Sequence, residues 1–164
     1  MPGDLYWDDT LLWSEQQAAL LRRLAAGERV NDVDWAHVIE EIEDVGKTEL
    51  RACTSLLRKA IEHLLKLHGW PAHPAAQHWR AETLTFLRDA KLAYSPSMRR
   101  QLDLDALFRL ARQDVLAAPM PGEPAALPPA CPFTPDELLT DALDLAALLA
   151  RLRERPAAEG IVDG

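Results

Sequence analysis

The chain has 164 residues, 48% of them apolar and 27% charged, with a formal net charge of −8. That is room for one ordinary domain with its own core, in the composition range of soluble globular proteins. No apolar run approaches the roughly 20 residues of a membrane span, and "MPGDLYWDDT" is acidic where an export signal would be basic.

The two cysteines, Cys53 and Cys131, make no disulfide framework, so the expected location is the cytoplasm. The negative charge is concentrated. From Asp32 to Glu49 seven acids stand against Lys47 alone. Phosphate contacts supply most non-specific nucleic-acid affinity, so this chain is not expected to bind nucleic acid. A cationic partner, a metal or plain solvation suits it better.

Along the chain, "LYWDDTLLW" reads as a short turn or helix that tucks Tyr6, Leu11 and Trp13 against the core. "SEQQAALLRRLAAG" opens with a Ser-x-x-Gln capping box at Ser14 and closes on Gly27. The strongest signal follows. From Trp35 to Leu67 apolar residues recur at spacings of three and four, which predicts one long amphipathic helix with Asp34 as N-cap. Gly46 lies on its apolar side and marks a close crossing or a kink.

"HGWPAHPAAQH" is a turn, and "HWRAETLTFLRDAKLAY" a third helix. Ser95 and Pro96 open a fourth, through Leu102, Phe108 and Val115. Residues 119–135 carry seven prolines and form an extended crossing; "TPDE" is a capping box that starts a last helix to about Arg153. No strand and no internal repeat is legible. The expected architecture is all-α, an irregular bundle of about five helices in a single domain over 1–155, with a disordered tail at 156–164.

In order, "LYWDDTLLW", "DWAHVIEEIEDVGKTE", "IEHLLK", "HW", "SPSM" and "CPF" resemble the uncharacterised bacterial family known as domain of unknown function twenty-nine, from Leu5 to about Leu139. The resemblance implies a helical fold and brings no activity, cofactor or substrate. Where members of that family place basic residues after "HLLK" and its proline, this chain has "AHPAAQ".

On a wheel of 100° per residue centred on Ile42, Trp35, Cys53, Ala60 and Leu67 fall within about 20° of the centre. Glu40 and Asp44 lie opposite, and Glu41 and Glu43 on the flanks, so most of this acidic run is a solvated helix face. Glu49 falls about 20° from the centre, where the pattern calls for an apolar side chain. Burying its charge unpaired would cost several kcal/mol. Three readings stay open: Gly46 rotates it to water, Arg80 or Arg22 pairs with it, or it lines a polar pocket. His63, on the border of the stripe, has Lys66, Trp79 and Arg80 as expected neighbours.

No Glu-x-x-His pair, phosphate loop or nucleophile–base pair is present, and the expectation is no metal and no cofactor. Cys53 is centred on the apolar stripe as a packed thiol. Binding candidates are Glu41, Glu49, His63, Lys66, Trp79 and Arg80. Two functional classes compete. The leading one is a non-catalytic acidic module for contact with another protein or with a second copy of itself, as a homo-oligomer. The other is a helical-bundle metal-binding protein or enzyme built around Glu49, His63 and Arg80.

Overall fold

A computed structural model describes residues 4–154. Among them are seven α-helices, one 3₁₀ segment and no strand, so the chain is all-α. The expected tail at 156–164 lies outside the described residues.

The first two helices are α1 (Leu5–Asp8) and α2 (Thr10–Ala25). The capping box at Ser14 does not start α2. Asp9 does: its carboxylate accepts the Leu12 N–H at 3.0 Å. Ser14 is one turn inside, with its hydroxyl donating to the Leu11 carbonyl. An earlier carboxylate cap wins because "TLLW" carries no helix breaker. Leu11, expected to pack inward, is 71% exposed, whereas Tyr6 and Trp13 are buried.

Helix α3 runs unbroken from Trp35 to Gly69. Gly46 neither breaks it nor meets a neighbour, since a Cβ placed there would find nothing within 4 Å. A single glycine costs a helix about 1 kcal/mol, which a helix of 35 residues absorbs. Helix α4 (Ala76–Ala93) follows the expected turn.

The fourth helix is shorter than its sequence suggests. Pro96–Arg100 is a 3₁₀ segment, and the Ser95 hydroxyl meets Ser97 instead of capping. Helix α5 (Leu104–Ala117) starts instead from Asp103, which accepts the Ala106 N–H at 2.9 Å. The box at Thr134 and Glu137 forms reciprocally, yet α6 (Pro135–Leu138) is one turn long. Asp144 caps a separate α7 (Leu145–Arg153), so each added helix has its own aspartate.

Contacts gather into two compact units, one up to Thr48 and one from Glu49, where the sequence leads one to expect a single domain. The first unit has a small core of Tyr6, Trp13, Val33 and Val38. The second has a large one, in which Leu57, Ile61 and Leu64 of α3 are fully buried with Leu87, Phe108 and Leu138. The proline-rich segment is held to the end of α3: the Ala125 N–H donates to the Gly69 carbonyl at 2.9 Å. Among the described residues no helix is long and apolar enough to cross a membrane.

Candidate functional site

In the first unit α3 is held by its polar flank. Asp34, His37, Val38 and Glu41 recur at the spacings that put side chains on one helical face. The Tyr6 ring stacks on His37 with centroids 3.9 Å apart, and its hydroxyl donates to Glu41 Oε1 at 2.7 Å. Trp13 Nε1 donates to Asp34 Oδ2 at 3.1 Å, and the Asp34 N–H donates to Oε1 of the buried Gln17 at 2.8 Å. His37 Nδ1 donates to Asp34 Oδ2 at 2.7 Å, which fixes the imidazole.

The electrostatics follow from these bonds. The hydrogen bond to Glu41 pushes the Tyr6 phenol up to about 12, because ionising it would set two anions face to face. The hydrogen bond from His37 holds Asp34 below the usual carboxylate range, and its counterpart raises His37. Asp4, Asp34 and His37 each bring one ligand atom to within 4.8 Å of the others. The two carboxylates are already engaged, however: Asp4 caps α1 through the Tyr6 N–H, and Asp34 serves Trp13 and His37. Among the described residues no hydroxyl or thiol is hydrogen-bonded to His37.

The other face of the same stretch of α3 is open. Ile42 is 67% exposed, Val45 66%, Ile39 53% and Trp35 52%. The stripe that the sequence assigns to the core is therefore covered at Val38 and again from Cys53 onward, and is open between them. Tyr6, Trp13 and Gln17 take the polar flank, leaving about 15 Å of apolar helix surface in water. The signal for this was present in the sequence: Asp34, His37 and Glu41 share a face, and two aromatics with hydrogen-bonding heads, Tyr6 and Trp13, lie just upstream.

The six candidates divide. Glu41 is half-buried and takes the Tyr6 hydroxyl. Glu49 is exposed; among the described residues it pairs with neither Arg80 nor Arg22 and lines none of the clefts of about 420 Å³. The unbroken helix thus leaves it in water. His63, in the second unit, meets the Lys59 carbonyl at 2.9 Å and Glu82 Oε2 at 2.7 Å. Glu82 also meets His78 at 3.2 Å. Lys66 sits 5.8 Å from the centre of the Trp79 ring, a cation–π contact against a buried indole that also stacks on His73. Arg80 is exposed and, among the described residues, has no hydrogen-bonded or ionic partner. His63 and Glu49 are roughly 21 Å apart along α3.

Cys53 is buried with its thiol 3.5 Å from the Ala90 carbonyl, and burial pushes its pKa up, as befits a packed thiol.

Residues 5–143 match the family model "Domain of unknown function DUF29". The chain belongs to this family. A crystal structure of an α-helical protein of unknown function from Rhodospirillum rubrum ATCC 11170 is similar to this DUF29 chain at 31% identity. The match covers 90% of this chain and 96% of that one, with a TM-score of 0.67. No curated protein matches this DUF29 chain. The neighbour is α-helical, as this chain is, and neither family nor neighbour indicates a function.

Proposed function

We propose that this protein is a non-catalytic docking module that offers the open face of α3 to another polypeptide. The observation that carries this reading is the exposure of Trp35, Ile39, Ile42 and Val45 on one helical face. Single apolar residues on a surface mean little, but four in register form a contiguous patch of the kind that interfaces bury. The clamp on the adjoining flank supports the same reading, because Tyr6, Trp13 and Gln17 fix which side of α3 is presented.

A bundle metalloprotein or enzyme built around Glu49, His63 and Arg80 lacks comparable support, since His63 is engaged by Glu82 while Glu49 and Arg80 point to water. A cytoplasmic setting fits the two free cysteines.

Site-specific photo-crosslinking in the producing cell tests the reading. A photoreactive residue at Ile42 yields one discrete adduct with a polypeptide identified by mass spectrometry. The same residue at Glu40, on the solvated side, yields none. The identified polypeptide then binds the purified protein and loses that binding with Ile39→Ser. Absence of any adduct specific to Ile42 overturns the docking reading.

A further inference from the structure

We infer that the occupant of this face is an amphipathic helix of another protein whose apolar stripe is bordered by lysine or arginine. The inference rests on the docking reading and adds the chemistry of the partner.

The shape argues for a helix. Trp35, Ile39 and Ile42 form an exposed stripe about two turns long and about 60° wide, and Val45 extends it by a turn beyond the buried Val38, which is the pattern a second helix packs against. Gly46 continues that stripe with open space above it, so a partner backbone can come close there.

The charge argues for a basic partner. Five carboxylates lie between Glu40 and Glu49, and two of them, Glu43 and Glu49, border the stripe or interrupt it. The single cation of the stretch, Lys47, is turned about 140° from Ile42 and is engaged by Asp44 at 3.1 Å and, at 4.0 Å, by Glu43. Glu49 has no ionic partner among the described residues. A second copy laid on this face would set carboxylates against carboxylates, whereas a basic border would pair with them and be steered toward them.

Two synthetic peptides with one leucine stripe, bordered by lysine in one and by glutamate in the other, test this by fluorescence anisotropy on the full chain. Sedimentation of the protein alone is recorded alongside. The lysine peptide is expected to bind and the glutamate peptide to bind at least about tenfold more weakly. Raising the salt well past the physiological range weakens the lysine peptide. Ile42→Ser and Ile39→Ser, both at exposed positions that leave circular dichroism unchanged, abolish binding. Glu43→Lys with Glu49→Lys cuts the affinity of the lysine peptide about tenfold.

Equal binding of both peptides, or a dimer that Ile42→Ser dissolves, overturns the basic-helix inference and leaves the docking reading standing. Lysine-peptide binding that survives Ile42→Ser overturns it as well, because the peptide then sits elsewhere. If neither peptide binds and the Ile42 crosslink is also absent, both readings fall.

Discussion

Tyr6 lies nearly flat on His37, centroids 3.9 Å apart and planes 17° from parallel, while its hydroxyl reaches Glu41 one turn further along α3. One aromatic side chain of α1 thus grips two successive turns of the long helix. The grip takes the polar flank together with Val38, and Trp35, Ile39 and Ile42 beyond it stay in water. The core of the first unit is small, so hydrogen bonds and ring contacts carry an unusual share of its cohesion.

The phenol of Tyr6 is the direct reporter of that grip. With its pKa pushed up to about 12, it stays protonated through the range where an ordinary tyrosine, near 10, ionises. Alkaline titration followed by tyrosinate absorbance should show a late component that Tyr6→Phe removes. Tyr6→Phe should also lower the unfolding midpoint, because it leaves Glu41 without its donor. Glu41→Gln should bring the late component back toward the ordinary range.

The Asp34–His37 pair should give stability a maximum in pH. His37 is raised in the native state, so its contribution is full below the ordinary histidine value of about 6.5 and is lost as pH climbs through the native pKa. Asp34 is lowered, so its contribution is present above about pH 4 and is lost as pH falls through the native pKa. The tryptophan-monitored unfolding midpoint should therefore be greatest between roughly pH 4 and 6.5. His37→Gln should flatten the alkaline side. An unchanged profile would show that the pair does not couple to folding.

Gly46→Ala should stabilise the protein by about 0.5–1 kcal/mol, because alanine is the better helix former and its methyl meets nothing. Thermal unfolding checks the sign. A loss of stability would mean that α3 is bent, or covered, at Gly46.

Much of the fold is legible in the sequence because its signals are local. The long run of three- and four-residue spacings gives α3, and the order of six short segments gives the family. Helix starts are less legible. At Ser14, Ser95 and Thr134 the capping chemistry is present, but Asp9, Asp103 and Asp144 offer competing or additional caps, and context decides among them. The open face is not legible for a different reason. Periodicity tells which residues share a side of a helix and not whether a partner covers that side. Ile42 and Ala60 lie on one line of the wheel, yet Ala60 is fully buried and Ile42 mostly exposed. Glu49 belongs to the same lesson: an acid on an apolar stripe needs no salt bridge when that part of the stripe lies in water.

The most direct test is equilibrium unfolding of Ile42→Ser beside Leu57→Ala. The two residues share one helix and one apolar pattern, but Leu57 is fully buried and Ile42 is 67% exposed. An open face predicts that Ile42→Ser changes stability by no more than about 0.5 kcal/mol, as at other exposed sites. Leu57→Ala should cost about 2–5 kcal/mol. A cost of about 2 kcal/mol or more for Ile42→Ser would contradict the open face, for it would place Ile42 in a core that the free protein has already closed.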